Sequence, residues 1–404
     1  MNQVSKNKYL SIAADGLEFT ATLCSTGTLM QALLASLGFS TSMIYIQSTA
    51  VQAATVLTIL LASRWADGSA LLKRHAFVRL LGGLLFLFYL PLCIIRQANA
   101  YTYLLLIIVS VLQAVTTGLH TVCLYKLPYY IYEARSYGVI TAICGIMSNI
   151  LSFFVGALMS YLSQIYPYVT LMLFALVLSF AFSAIAGICR LRLKPLTTNI
   201  CKDSAKDTPK IPLKIVILNP CFRNLIPANL MRGFANGATT ILAVIASNHL
   251  GYSESVTAAI VSIQSVAMLA AYGLFAVSTK LISPRVMILC GSICFLCLPL
   301  LLIPNQPILF LLFVGVTLLG RTLVDSAVPT VLLYAVPVDI AGPYHAWRMA
   351  LHNAGTLSAT LLATFLPIES ILLIALLCQV YSGIVYWRSK FLCNVSPAQS
   401  QTIS

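Results

Sequence analysis

The sequence predicts an all-α polytopic membrane protein of twelve transmembrane helices in two parallel six-helix repeats, and three observations carry that expectation. Of the 404 residues, 59% are hydrophobic and only 8% charged, with a mean hydropathy of +0.93, whereas a soluble domain carries about a quarter charged residues. Lysine and arginine gather on alternate loops between long apolar runs, and two short motifs recur at matching places in each half.

Apolar runs of about 20 residues are long enough to cross a bilayer. In hydrocarbon only a helix or a closed barrel satisfies every backbone N–H and C=O. Barrel strands are short alternating segments, so the continuous runs here are helices. The spans expected in order are 12–37, 42–63, 77–95, 101–125, 138–161, 167–189, 224–248, 255–279, 286–303, 308–335, 344–366 and 369–388. The first apolar stretch leads into the second without a small-residue cleavage site, so no cleavable signal is expected. Of the twelve cysteines, Cys290, Cys294 and Cys297 cluster inside an apolar run. They read as small buried residues rather than as metal ligands or disulfide partners.

Bases fall on one set of loops: Lys6 and Lys8; Arg64, Lys73, Arg74 and Arg79; Lys126 and Arg135; Lys280 and Arg285; Arg348; Arg388 and Lys390. Eight more, from Arg190 to Arg223, lie between spans six and seven, and the opposite loops hold Arg96 alone. By the positive-inside rule both termini are cytoplasmic and the span number is even. The net charge of +14 is thereby accounted for, and no nucleic-acid partner is expected, since the charges do not gather on one face. Asn394-Val395-Ser396 matches a glycosylation triplet but falls on the cytoplasmic side. The polar stretch 191–214 reads as a cytoplasmic linker joining a bundle 1–190 to a bundle 215–404.

Leu37-Gly38-Phe39-Ser40 after span one returns as Leu250-Gly251-Tyr252-Ser253 after span seven. Leu124-Tyr125-Lys126-Leu127-Pro128, ending span four, returns as Leu333-Tyr334-Ala335-Val336-Pro337, ending span ten. Six spans is an even number, so the halves insert in the same orientation, an arrangement suited to a rocking, alternating-access carrier.

On these features the chain resembles the major facilitator superfamily over nearly its whole length. In the place of that family's loop signature between spans two and three stands Ser63-Arg64-Trp65-Ala66-Asp67-Gly68, followed by Lys73-Arg74. It keeps the acid and the downstream bases without the first glycine. Asp15-Gly16, Pro220-Cys221-Phe222-Arg223 and Arg232-Gly233 are similar to a bacterial branch of the superfamily. The resemblance implies a gating role for Asp67, Lys73 and Arg74, with Asp67 accepting hydrogen bonds near 341–344 at the start of span eleven. It also implies that spans one, four, seven and ten line a central cavity, flanked by two, five, eight and eleven.

The polar residues follow that pattern on their own. A charge at bilayer depth costs at least about 2.5–3.5 kcal/mol on insertion scales, so such groups face a cavity or a partner. Span one carries Glu18, Thr22 and Ser25; span four Gln113, Thr116, Thr117 and His120; span seven Arg232, Asn236, Thr239 and Thr240; span ten Arg321, Thr322, Asp325 and Ser326. Spans five and eleven add Asn149 and its neighbouring hydroxyls, and His345, Arg348 and His352. The spacing of three and four places each set on one helical face.

Glu18, Gln113, His120, Asn149, Arg232, Asn236, Arg321, Asp325 and His352 are therefore the candidate substrate-binding or coupling residues. Glu18 and Arg232 stand at near-equivalent places in the two halves, where they either meet across a cavity or reach the cytoplasmic interface. Arg321 and Asp325, four residues apart, either form a structural pair or divide the work, the arginine taking an anionic or strongly polar part of a solute and the acid a proton. Arg321 lies roughly 20 Å from the far end of its span at 1.5 Å per residue, near the bilayer middle. The histidines read as satisfied hydrogen-bonding groups or as a proton relay. Glycines of span five, among them Gly138, Gly145 and Gly156, read as helix-packing sites.

The function expected is secondary active transport of a small polar organic solute at the cell membrane, coupled to protons or sodium, by a monomer needing no cofactor or metal. A drug-efflux carrier and a non-transporting receptor or scaffold are the alternatives. No His-Glu-x-x-His, Gly-x-Ser-x-Gly or nucleotide-binding loop occurs, which argues against an enzyme or an ATP-driven pump.

Overall fold

The computed structural model describes residues 3–25, 27–62, 70–131, 134–195, 223, 225–278, 284–303, 306–335 and 338–388. Asp67, the bulk of the 191–214 stretch and the glycosylation triplet lie outside these residues, and so do the side chains of His345 and 341–344. All elements among the described residues are helical. In order they are α1 (Gln3–Ser25), α2 (Thr28–Ser36), α3 (Thr41–Leu61), α4 (Leu71–Leu85) continued through a turn into α5 (Leu90–Ile95), α6 (Ala100–Ile131), α7 (Ala134–Leu162) and α8 (Tyr168–Leu191). There follow α9 (Leu225–Ala238), α10 (Glu254–Ser278), α11 (Pro284–Cys294), α12 (Pro307–Ala335), α13 (Val338–Leu362) and α14 (Ile368–Arg388).

Among the described residues ten helical stretches are long and apolar enough to cross a membrane, and they fall on ten of the twelve expected spans. The remaining two places are also helical. One is α1 with α2, which begins at Gln3 and carries Lys6, Lys8, Asp15 and Glu18. The other is α13, with Arg348 and His352. Both are packed elements, so their polar residues are turned toward neighbours instead of breaking the helix.

The chain forms two compact units, Met1–Thr208 with Ala243–Ser262, and Pro209–Leu242 with Ile263–Ser404. In the first, α1 packs on α7 and α8, α4 on α6 and α8, and α3 on α6. In the second, α9 packs on α13 and α14, and α11 on α12 and α14. Each unit buries an apolar core with polar groups set into it and turns apolar side chains outward: Phe77, Leu104, Phe154 and Phe174 in one, and Ile308, Leu312 and Leu377 in the other, are exposed large hydrophobics. Such a surface suits hydrocarbon and is foreign to a soluble monomer.

Local chemistry sets the helix ends. Gly38 and Gly251, the glycines of the repeated motif, both take positive φ, 87° and 68°. At Gly38 the end is a Schellman turn, with Phe39 N–H on Leu34 O and Gly38 N–H on Ala35 O, each at 3.0 Å. Ser40 then caps α3 through Met43 N–H. Asn99 and Thr102 cap α6 reciprocally, each side-chain oxygen accepting the other's backbone N–H at 2.9 Å. Arg96 is itself left-handed at the end of α5, and its Nε donates to Cys93 O at 3.3 Å. Asn7 ties the first helix to the end of α6 and to the chain just past α8, its Nδ2 donating to Ile131 O at 3.1 Å and Lys194 O at 2.8 Å.

One expectation changes, and span seven carries a detail that hydropathy does not show. Span seven is not one regular helix: α9 passes into a 3-10 turn at Thr239–Ile241 and a π turn at Ile245–His249. Thr239 and Thr240 donate to Asn236 O and Gly237 O at 2.8 and 2.7 Å, which competes with the helical ladder. The cysteine cluster is not buried either. Cys290 is exposed and Cys294 and Cys297 half-buried, all free, because an apolar thiol can face hydrocarbon at little cost. Gly156 does pack closely, since a Cβ there would lie 2.7 Å from Ser262 N and 3.0 Å from Val261 Cβ.

Candidate functional site

Each unit encloses one cluster of charged side chains. In the first, Asp15 and Glu18 stand three residues apart on one face of α1 and meet Arg190 near the end of α8. Arg190 Nε donates to Glu18 Oε2 at 3.0 Å, and its Nη2 reaches both Glu18 Oε2 and Asp15 Oδ1, the latter at 2.6 Å. Arg79 of α4 pairs with the other Glu18 oxygen. His120 Nε2 of α6 lies 3.8 Å from that same oxygen. The His120 Nδ1 in turn is 2.7 Å from His75 Nε2 of α4, the rings stacked at 4.8 Å. Two carboxylates thus face two guanidiniums, with a stacked imidazole pair beside them. Arg190 is 1% exposed in its side chain, and a buried ion cluster of this kind holds only when the charges match and the lone pairs are satisfied.

In the second unit Arg232 and Asn236, one turn apart on α9, meet Asp325 of α12. Arg232 Nε donates to Asp325 Oδ1 at 2.9 Å and its Nη2 reaches the same oxygen. Asn236 Nδ2 lies 3.1 Å from both Asp325 oxygens and 3.3 Å from His352 Nε2 on α13. Arg321 approaches Asp325 Oδ2 with its Nε at 3.5 Å, and its Nη1 donates to Thr239 Oγ1 at 2.6 Å. Arg232 is 4% exposed, while Arg321 and Asp325 are 29% and 30% exposed. The Tyr386 hydroxyl lies beside the Arg232 guanidinium and donates to Asn229 Oδ1 at 2.9 Å.

The crossing of α9 and α13 that brings these groups together depends on missing side chains. A Cβ on Gly233 would lie 1.9 Å from His352 O, and one on Gly355 2.0 Å from Leu230 O. Thr356 donates to Gly233 O at 3.0 Å across the same contact. The signal was present in the sequence as Gly233-x-x-x-Gly237, a spacing that lets helix backbones approach.

The structure therefore joins Arg232, Asn236, Arg321, Asp325 and His352 in one group and Glu18 with His120 in another. Glu18 and Arg232 each find their partners inside their own unit. Gln113 and Asn149 are buried on α6 and α7, and Gln113 Oε1 and Asn149 Oδ1 have no hydrogen-bond partner among the described residues. Lys73 and Arg74 lie in the first turn of α4. By sequence Arg79 and Arg190 read as loop bases, and Arg348 both as a loop base and as a polar residue of span eleven. All three lie within helices, with Arg190 and Arg348 buried. Sequence reasoning passed over His75, since a base or imidazole near a helix end looks like an interfacial group until its partner is seen. Among the described residues no group of His, Cys, Asp and Glu suits a metal ion.

The sequence profile of the Major Facilitator Superfamily matches residues 16–360. No curated protein gives a significant match. Among solved structures the chain is similar to a bacterial homologue of the iron transporter ferroportin in an inward-facing state, at 13% identity and a TM-score of 0.67, covering 97% of this chain and 100% of that one. It is similar to the nucleoside transporter NupG at 13% identity and a TM-score of 0.68, covering 96% and 100%. Likeness at that identity speaks for the fold alone. With ten apolar helical stretches and a profile match over most of its length, the chain belongs to the major facilitator superfamily, as a multi-pass membrane protein.

Proposed function

We propose that the protein is a secondary active transporter that moves a small polar organic solute by alternating access, coupled to protons. In this reading the bundles 1–190 and 215–404 rock about a solute held on the second unit's charged group. The supporting observation is its charge count: Arg232 and Arg321 share the single carboxylate of Asp325. A structural ion pair in an apolar surround is charge-matched, because an uncompensated buried charge is strongly destabilising. Here one guanidinium's worth of positive charge remains for a ligand, and Arg321 is the partly exposed member. Asp325, gripped by Arg232 and Asn236, orients the site, and Arg321 takes the anionic or strongly polar end of the solute. The planar fork of guanidinium fits carboxylate or phosphate in a way that ammonium does not.

Purified protein in liposomes, given a solute library under an imposed proton gradient, is expected to accumulate one class of polar solute. Arg321→Lys is expected to lower that uptake at least tenfold. Silence across the library with folded protein would overturn the reading in favour of a scaffold.

The same reading places the protein in the cell membrane with both termini and the 191–214 stretch in the cytoplasm, supported by the alternation of basic loops. With the native cysteines replaced so that Ser204→Cys is unique, a maleimide probe is expected to reach it only after the cells are opened. Labelling from outside intact cells would reverse the orientation.

A further inference from the structure

We propose that His75 and His120 form a shared proton site that loads Glu18, and that the loaded state releases the grip of α1 on α4 and α8. This deepens the proton-coupled reading above and rests on it. It assigns the coupling step to the first unit, apart from the solute contacts on the second.

The geometry comes first. His75, His120 and Glu18 are all buried. At 2.7 Å the His75 Nε2 to His120 Nδ1 line holds one proton, since two N–H groups cannot point at each other. The tautomer follows from the third member. If His120 donated from Nδ1, its unprotonated Nε2 would face the Glu18 carboxylate, lone pair against anion. The favourable arrangement has His75 Nε2–H donating to His120 Nδ1 and His120 Nε2–H directed toward Glu18 Oε1, 3.8 Å away. At 3.8 Å this last contact is longer than a hydrogen bond, so the pair faces the carboxylate across a gap that closes for transfer.

Among the described residues, α1 contributes Asp15 and Glu18, α4 contributes Arg79 and, nearer Cys123, Arg74, and α8 contributes Arg190. Cys123 lies one turn beyond His120 on α6, and Cys144 of α7 lies beside Asp15. Two carboxylates against two guanidiniums leave the resting cluster neutral. The arginines also exclude a metal cation from what would otherwise be two imidazoles and a carboxylate.

One proton entering at His75 Nδ1 sends the Nε2 proton to His120 Nδ1 and the His120 Nε2 proton to Glu18 Oε1. The set gains one proton, and no ring ends with two. Glu18 is then neutral, and Arg79 and Arg190 are left with Asp15 alone. Since both arginines hold α1 through Glu18, the loaded cluster, now positive and buried, is driven to loosen, and α1 parts from α4 and α8. A structural ion cluster would also loosen once its acid is protonated, so the histidine dependence of the response is what marks the shared proton site.

The test needs no solute. Spin labels carried by unnatural amino acids at the exposed positions Tyr9 of α1 and Phe77 of α4 report the separation of those helices in purified protein in nanodiscs. The wild-type distance distribution is expected to shift as pH falls. His75→Gln and His120→Gln are each expected to lose the shift, and Glu18→Gln, which imitates the loaded acid, to show the low-pH distribution at every pH. A pH-independent wild type, or histidine variants that respond as wild type does, would overturn the proposal. Should Glu18→Gln fail to fold, the two histidine variants decide. Because the readout is independent of transport, a silent liposome assay beside an intact pH response sinks the transporter reading and leaves the proton site standing. The converse pattern does the opposite.

Discussion

Arg190→Met is expected to cost the first unit about 3–5 kcal/mol, the range for breaking a buried ion pair by removing one partner. Arg190 is among the largest fully buried side chains, and its guanidinium is the shared donor to Glu18 and Asp15. Methionine fills much of the volume but leaves two carboxylates facing Arg79. Arg190→Lys keeps the charge and loses the fork that reaches both acids, so a smaller loss is expected. Adding Glu18→Gln to Arg190→Met removes one orphaned charge and is expected to restore part of the stability, a coupling that a double-mutant cycle reads directly. Fluorescence-detected size-exclusion chromatography after heating in detergent gives the order of melting. An Arg190→Met protein melting with the wild type would show that the cluster contributes nothing to the fold.

Gly233→Ala is expected to have the other large effect, this time in the second unit. The added methyl would sit 1.9 Å from His352 O, a backbone atom that no rotamer change can move aside. Overpacking of a rigid contact costs about 1–3 kcal/mol and occasionally more, and the upper end applies where backbone meets backbone. Separation of α9 from α13 would also draw Asn236 away from His352 and tilt Arg232 against Asp325, so surviving protein is expected to lose transport as well. Gly273→Ala on α10 is the control. Nothing lies within 4 Å of a Cβ there, and replacing an exposed helical glycine is expected to add about 0.5–1 kcal/mol. Equal melting of the two variants would refute the close-approach account.

The fold was legible because hydrocarbon imposes a one-dimensional rule. A chain that must satisfy its backbone internally over about 30 Å writes each crossing as a continuous apolar run, and ten such runs appear where the hydropathy put them. The repeated glycines at 38 and 251 were legible for a related reason, since a positive φ is a local demand on one residue. Polar residues on the helices likewise announced themselves by their rarity, and Glu18, Arg232, Arg321 and Asp325 were marked before any partner was known.

Partners were a different matter. Arg190 meets Glu18 from 172 positions away, and Arg232 meets Asp325 from 93. No spacing rule connects such pairs. A base near a helix end reads identically whether it faces headgroups or turns inward, so Arg79 and Arg190 were assigned to loops and His75 drew no notice. What the sequence by itself determined was the solvent each helix expects and the residues that do not belong in it. Only the tertiary structure decided which of those residues meet, because the rotation of one helix against another is fixed by contacts such as Gly233 on His352, made between segments far apart in the chain.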